Sequence, residues 1–351
     1  MLSIKEKIYR SIEALYQRSL GGTGLLYRYD ERDLQSEFGL SLFPYKTKYE
    51  NINYFRFQFN QNPFNICTFA AAVKAVSEQL CINLSVKFYV ALAVKEGRVS
   101  GNGFADQRTI LGYLIKKQSE DDKNTRVGIV TYEEMPDEVN CTWKIYSEWT
   151  TQHQRILETN PPERCFTEYH ALRNESSVLE AEDNGFVPIT ASKMYEEMIR
   201  PRGPLYLMKM VGAYLGGHQY RSTGYRYRGR DFATPQTFGS AFGDNGLAWS
   251  ETLFGFNYYN TYILIRDGGP LLPMEVILPI FLKQHDGLMV KSFDWLGDSS
   301  CYVIKDGQKH YVSGTDNMKT FFDLKQKVGL TRIKKEILEA IPEGEPYPLI
   351  S

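Results

Sequence analysis

The sequence predicts an α+β fold with two lobes, because helical patterns dominate its first half and strand patterns its second half. The strongest helical pattern runs from Cys67 to Leu80; it is alanine-rich and apolar on most sides, which predicts a buried central helix. Strand patterns rich in tyrosine and β-branched residues follow Gly216 and recur from Tyr258 to Ile265. At 351 residues the chain is long enough for about two domains with a sizeable core.

Three further helices are predicted by spacing and caps in the first half of the chain. Apolar residues recur at helical intervals over residues 4–19 and again from Val86 to Glu96. Asp106 follows a Gly-Asn-Gly turn and is typical of an N-cap residue, whose side chain accepts a hydrogen bond from the first helical turn. A helix is therefore predicted from Asp106 to Lys117.

The second half carries strand and turn signals, with one more helix at its start. The segment from Ile189 to Ile199 is predicted to be a helix with its cap at the beginning. An apolar run from Leu205 to Val211 predicts a strand. Two runs between Cys301 and Val312 predict a small hairpin that turns at Asp306-Gly307.

These elements divide the chain into four predicted segments. Three prolines at positions 270, 273 and 279 mark the boundary before the last segment. The segments are an N-terminal helix and lead-in (1–45), a helical lobe (46–185), a β-rich lobe (186–268) and a small C-terminal α/β appendage (269–351).

Composition limits the classes of partner and the compartment. Lys and Arg number 41 against 42 Asp and Glu, and the net charge of −1 argues against nucleic acid and against an anionic membrane surface. The five cysteines are scattered and lack C-x-x-C spacing, which argues against a disulfide framework or a zinc site. The N-terminus lacks an apolar signal core, and no run approaches the roughly 20 apolar residues of a membrane span. We therefore expect a cytoplasmic protein, with packaging in a virion or export by another route left open.

The segment from Gln61 to Cys67 carries the clearest chemical signal. Cys67 opens the apolar helix, and a helix N-terminus bears about half a positive charge, which favours thiolate over thiol. Gln61 lies six residues earlier, and its side-chain NH₂ can sit beside the backbone N–H of Cys67 to form a two-donor oxyanion site. This pair is typical of acyl transfer through sulfur, which also requires a histidine as base.

Two later motifs supply that histidine and complete a resemblance to a known family. The motifs are Gly216-Gly217-His218-Gln219-Tyr220-Arg221-Ser222-Thr223-Gly224-Tyr225 and Gln236-Thr237-Phe238-Gly239, the latter followed by Phe242-Gly243 and Gly246. With Gln61 and Cys67 upstream, this order of motifs resembles the papain-like cysteine peptidases of bacterial and viral type. Met194 to Val211 is also similar to the family's helix, Gly-Pro and strand before the histidine. The resemblance covers roughly residues 50–266.

The resemblance implies a papain-like fold, with a helical lobe and a β-barrel-like lobe, and a thiol-dependent peptidase acting on a peptide or protein. It implies Cys67 as nucleophile, His218 as general base and acid, Gln236 as the residue that orients the histidine ring, and Gln61 as oxyanion donor. No cofactor or metal is expected. The remaining histidines lack partners at ligand spacing and are expected at the surface: His153, His170, His285 and His310.

The sequence differs from the family pattern at several positions, and two alternatives follow. Gln236 stands in place of asparagine, Phe238 and Phe242 in place of tryptophans, and Gln-Tyr-Arg-Ser-Thr follows His218 in place of apolar residues. One alternative is a catalytically impaired papain-fold assembly protein, such as a viral or phage particle component. It would bind neighbours through the Tyr/Arg-rich segment 220–230 and the C-terminal region. The other alternative keeps the chemistry but cleaves peptidoglycan peptides, as an amidase or endopeptidase.

Overall fold

The computed structural model describes most of the chain between residues 57 and 347. The described residues are 25–26, 51–52, 57–116, 125–138, 140–199, 211–226, 231–235, 247–251, 261–292, 300–312 and 330–347. For 25–26, 51–52, 231–235 and 247–251 the backbone alone is described. The predicted helix over residues 4–19 lies outside these ranges, as does the predicted strand from Leu205 as far as residue 210.

Helices concentrate in the first half of the described chain and recur near its end. The α-helices are α1 (Cys67–Leu80), α2 (Val86–Lys95), α3 (Gln107–Leu114), α4 (Trp143–Tyr146), α5 (Thr151–Thr159), α6 (Glu175–Asp183), α7 (Met274–Gln284) and α8 (Lys335–Ala340). Short 3-10 helices lie at Pro162–Arg164 and Glu196–Ile199.

Strands concentrate in the second half and pair mainly antiparallel. They are β1 (Leu25–Leu26), β2 (Asn51–Ile52), β3 (Val99–Ser100), β4 (Phe104–Asp106), β5 (Glu168–Ala171), β6 (Ile189–Tyr195), β7 (Tyr214–Arg221), β8 (Gly224–Arg226), β9 (Asp231–Pro235), β10 (Leu247–Glu251), β11 (Tyr262–Ile265), β12 (Met289–Ser292), β13 (Cys301–Lys305), β14 (Gln308–Val312) and β15 (Leu330–Ile333). Within the described residues they form sheets with the orders β1-β4-β3, β10-β9-β8-β2, β5-β11-β6-β7 and β14-β13-β12-β15. The predicted α+β class is confirmed.

Helix α1 is the centre of the hydrophobic core, as its alanine-rich sequence predicts. Every one of its residues is buried, and α2, α3 and β7 pack against it. It ends at Cys81, whose left-handed φ of 57° lets its N–H donate to the Ser77 carbonyl. The predicted cap of α3 is confirmed, since the Asp106 side chain accepts from the Arg108 N–H. That helix ends at Leu114, earlier than predicted, because Ile115 turns to extended backbone.

The C-terminal segment packs directly on the helical core. The side-chain amide of Gln79 in α1 donates to Pro270 O at 2.6 Å and accepts from the Val187 N–H at 3.1 Å. Gln284 of α7 accepts from the Asn83 N–H at 2.6 Å and donates to Asn83 O at 3.0 Å. Buried residues of α7 and α8 belong to the same hydrophobic cluster as α1. The predicted appendage is therefore continuous with the core.

The predicted C-terminal hairpin is confirmed, and the helix predicted to begin at Ile189 is wrong. Strands β13 and β14 turn at Asp306 and Gly307, whose φ values of 50° and 77° suit a two-residue hairpin turn. Ile189–Tyr195 is the strand β6 instead of a helix, because it pairs with β7 and β11 in a sheet. The resemblance placed at Met194–Val211 stays a prediction, because residues 200–210 lie outside the described residues.

The region after residue 270, where three prolines predicted a segment boundary, contains the helix α7. Pro279 lies inside α7, where Ile277 and Phe281 are buried against the core. In addition β5, which falls within the predicted helical lobe, shares a sheet with β6 and β7. The division of the chain into four segments stays a prediction.

Candidate active site

Cys67 is the first residue of α1 and is completely buried. Burial raises the pKa of its thiol to about 11, because the thiolate loses its contact with water. Hydrogen bonds from the Gln219 backbone, the Thr68 hydroxyl and the first backbone N–H groups of the helix act in the opposite direction. The helix N-terminus therefore favours the thiolate, as predicted, but desolvation is the larger effect.

The Gln219 contact joins Cys67 to the strand that carries His218. Strand β7 pairs with β6 so that His218 lies opposite Ser192 and Gln219 lies opposite Ala191. Because the sulfur of Cys67 is within hydrogen-bond reach of the Gln219 backbone, the first turn of α1 lies against β7 one residue after the histidine. The structure thus brings together two chain segments that are far apart in sequence.

His218 is as deeply buried as Cys67. Its side chain is completely buried, and its ring lies beside Tyr220, with ring centroids 6.3 Å apart and an interplanar angle of 30°. Ser192, its partner across the strands, is also buried. Neither the sulfur nor the imidazole is exposed to solvent.

Gln61 lies just upstream of α1 and is 4% exposed. Its Nε2 donates to Phe64 O at 3.3 Å, and the Phe64 N–H donates back to Gln61 O at 2.8 Å. Phe64 is three residues before Cys67, so this turn holds the Gln61 amide close to the first turn of α1. Its role as an oxyanion donor stays a prediction.

A glycine loop supports the residues immediately before Cys67. The Asn65 N–H donates to Asn102 O at 2.7 Å. Gly103 has a φ of +118°, and a Cβ atom there would lie 2.4 Å from Ile66 Cγ2 and 3.0 Å from the carbonyl carbon of Asn65. Such a distance is far inside van der Waals contact, so the loop approaches this closely only with glycine.

We expect Gly103→Ala to displace Ile66 and the adjoining Cys67. The strained φ and the clash together should lower the free energy of unfolding by about 2–4 kcal/mol and slow alkylation of the Cys67 thiol. Chemical denaturation and peptide-resolved alkylation rates measure the two effects. The matched control is Gly97→Ala, at a φ of +68° with no atom within 4 Å of the new Cβ, which should lose stability without changing Cys67 reactivity. Equal reactivity in the two variants would contradict the prediction.

The predicted orienting residue, Gln236, lies outside the described residues. Strand β9 ends at Pro235, directly before it, and Pro235 pairs with Leu247 at the start of β10. The role of Gln236 therefore stays a prediction.

Two residues that contact the Cys67 thiol were not predicted from the sequence. The hydroxyl of Thr68 lies at the first turn of α1 and also lies 3.4 Å from Ala105 O, to which it can donate. Gln219 contributes its backbone and is completely buried. The only sequence signal was adjacency, since they follow Cys67 and His218 directly.

The remaining histidines and cysteines include one clear correction. His153, predicted at the surface, is buried; its Nδ1 accepts from the Thr150 N–H at 3.2 Å, and its ring stacks on Phe88. Burial lowers its pKa to about 4. All five cysteines are described, and all are free thiols. In the described part of the chain no cluster of acidic, histidine or cysteine side chains is suited to a metal ion. Nor does any helix there have the length and apolar character to cross a membrane.

Solved structures of cysteine proteases have folds similar to that of this chain. The structure of xylellain, a cysteine protease from Xylella fastidiosa, is similar over 70% of this chain and 96% of that chain, with a TM-score of 0.54 and 16% identity. Procathepsin B S9 from Trypanosoma congolense has a TM-score of 0.49 and 11% identity over 72% of this chain and 87% of its own. Digestive procathepsin L 3 of Tenebrio molitor has a TM-score of 0.49 and 13% identity over 73% and 78%.

Of these three, the likeness to xylellain shows the fold, and it shows no more than the fold. No protein-family model matches the sequence, and no curated protein matches it. The likeness to xylellain shows that the chain has the papain-like fold, which confirms the predicted two-lobed α+β architecture.

Proposed function

We propose that the chain is a thiol-dependent peptidase that hydrolyses peptide or other amide bonds with Cys67 and His218. The observation that supports this best is the hydrogen-bond contact between the Cys67 sulfur and the Gln219 backbone. It sets a helix-terminal thiol against the strand position next to a buried histidine, on a papain-like fold. Peptides and proteins are the proposed substrates.

The reaction would proceed through two acyl-transfer steps. His218 takes the thiol proton as the Cys67 sulfur bonds to the carbonyl carbon, and then gives that proton to the amine nitrogen as the C–N bond breaks. A thioester remains. In the second step His218 takes a proton from water while the water oxygen attacks the thioester carbon; the C–S bond breaks and the proton passes to sulfur, which releases the acid. The Cys67 backbone N–H and the Gln61 amide would bind the oxyanion in both steps.

The raised thiol pKa makes His218 necessary to this proposal. A thiol with a pKa of about 11 is ionised to about one part in 10⁴ at pH 7. Lowering the pKa to 7 corresponds to about 5 kcal/mol, and the hydrogen bonds from the first turn of α1 already act on the higher value. A neighbouring imidazolium must supply this free energy, so the thiol without His218 would be unreactive at neutral pH.

Labelling with a peptidyl epoxide that captures activated thiols tests the proposal. We expect the epoxide to modify Cys67 at pH 7 and to fail after His218→Ala. Cys81 is an internal control in the same chain, because it is also buried and burial raises its pKa to about 11. Peptide-resolved mass spectrometry distinguishes the two thiols. Labelling of neither thiol, or of both equally, would overturn the proposal.

One observation favours a second candidate function, that of a papain-fold assembly protein without catalysis. Cys67 and His218 are both completely buried, and burial raises the thiol pKa. Within the segment proposed for assembly, Tyr220, Arg221 and Tyr225 are buried in the chain itself. This candidate therefore uses the C-terminal region, where Tyr311 is 44% exposed. It requires a stable complex that survives Cys67→Ala, and a strictly monomeric chain would exclude it.

A further inference from the structure

Arg221 is a buried cation in a strand where apolar residues are expected. It is 1% exposed, and its guanidinium donates hydrogen bonds to both carboxylate oxygens of Glu78 in α1. The Nε–Oε2 distance is 2.8 Å and the Nη2–Oε1 distance is 2.6 Å. Glu78 is completely buried. A two-pronged ion pair without access to water therefore links the cysteine helix to the histidine strand.

The same ion pair holds the segment that leads to Gln61. The Phe57 N–H donates to Glu78 Oε1 at 3.1 Å, and the Phe57 carbonyl accepts from Arg221 Nη2 at 3.0 Å. Phe57 lies four residues before Gln61. The Arg221–Glu78 pair thus bonds three segments, and each carries one of the proposed catalytic residues.

The pair and the thiol contact fix α1 against β7 at two separate points. Glu78 follows Cys67 by 11 residues, close to three full turns, so both side chains leave the same face of the helix. The Gln219 backbone contacts the Cys67 sulfur, and two residues further along β7 the Arg221 side chain meets Glu78. Two contacts set the direction of the strand as well as its distance.

The chemistry of the pair suits positioning better than stability alone. A buried ion pair is often no more stabilising than apolar residues of the same volume, because desolvation offsets the attraction. A guanidinium bound by two carboxylate oxygens, however, fixes orientation as well as distance. An ordinary apolar contact between α1 and β7 would not constrain the strand in this way.

We propose that Arg221 and Glu78 are positioning residues that set His218 and Gln61 in register with Cys67. This inference rests on the proposed function, since it assigns the pair a role in the geometry of that site. A displacement of about 1 Å at a reacting group can reduce a rate by a factor of about 100. A substitution that weakens the Arg221–Glu78 pair should therefore reduce the effect of His218 on the reactivity of the Cys67 thiol while leaving the chain folded.

The test is the dependence of Cys67 reactivity on His218, measured in three backgrounds. Iodoacetamide modification of Cys67 is followed by peptide-resolved mass spectrometry from pH 5 to 9, with and without His218→Ala. In each background the rate with His218 is divided by the rate with His218→Ala, so that differences between the backgrounds in reagent access to the buried thiol cancel. We expect the rate with His218 to exceed the rate with His218→Ala by a large factor at neutral pH in the wild-type chain. In Arg221→Lys we expect this ratio to be smaller by a factor of about ten or more, because lysine keeps the positive charge but cannot bind both carboxylate oxygens of Glu78 in the fixed geometry of a guanidinium.

Asp137→Asn is the matched control, because Asp137 lies in a loop and forms a buried ion pair with Lys74 of the same helix, α1. Asp137 bonds Lys74 of α1 at 3.3 Å and the Val86 and Lys87 N–H groups at 2.7 and 2.8 Å, all within the helical lobe. This variant should lose stability and keep the wild-type ratio. A ratio of one in the wild-type chain would overturn the proposed function and this inference together. A large wild-type ratio that persists in Arg221→Lys, or that falls equally in Asp137→Asn, would overturn the positioning role alone.

Discussion

Glu78→Leu is expected to lower the free energy of unfolding by about 3–5 kcal/mol. The substitution leaves the Arg221 guanidinium buried without its carboxylate and removes the acceptor of the Phe57 N–H. A buried charge without a partner is among the most destabilising changes that one substitution can make. Urea denaturation at neutral pH, followed by two optical probes, measures the loss.

The double variant Glu78→Leu/Arg221→Met is the control for this expectation. It removes both charges, so it should recover a large part of the lost stability, although the Phe57 peptide groups still lack their partners. A double variant no more stable than Glu78→Leu would mean that the unpaired charge is not the cause. Because the double variant lacks the ion pair between Arg221 and Glu78, His218→Ala should still have only a small effect on the rate of Cys67 alkylation in it.

Glu182→Gln is expected to remove a pH-dependent loss of stability of about 5 kcal/mol. Glu182 is buried on α6, and burial raises the pKa of its carboxyl from 4.5 to about 8, while the Ser222 hydroxyl bonded to it and the Gly224 backbone act in the opposite direction. Between these two pKa values the folded chain holds a proton that the unfolded chain has released. Stability therefore falls as the pH rises from about 4.5 to about 8. Glutamine carries no such proton, so the variant should gain stability relative to the wild type across that window.

Glu180→Gln on the same helix is the matched control for the pH experiment. Glu180 is only partly buried, and the substitution is chemically the same. Thermal unfolding of the three chains at pH 5, 6.5 and 8 should show a difference from wild type that grows with pH for Glu182→Gln alone. If Glu182→Gln and wild type have parallel pH profiles, Glu182 does not change its proton occupancy on folding.

Local signals correctly predicted several elements of the fold. The alanine-rich run at Cys67–Leu80, the Asp106 cap and the turn at Asp306-Gly307 each depend on interactions within a few residues. The residues that make these interactions are close together in the sequence, so periodicity and cap residues are sufficient to predict them.

Elsewhere, contacts with residues distant in the sequence outweighed the local signals. Ile189–Tyr195 has the start of a helical pattern, but pairing with β7 and β11 makes it a strand. Pro279 suggested a break, but burial of Ile277 and Phe281 against the core keeps α7 continuous through it. In both cases the energy of burying apolar surface against distant residues exceeds a local preference of about 1–3 kcal/mol.

The sequence by itself determined the α+β class, the central helix and the presence of a cysteine and a histidine in papain-like order. Only the tertiary structure decided that the Cys67 thiol lies against β7, that burial raises its pKa, and that Arg221 meets Glu78. The physical reason is that desolvation and ion pairing depend on the distance between groups and on their access to water. Residues far apart in the chain acquire those properties only when the fold brings them into contact.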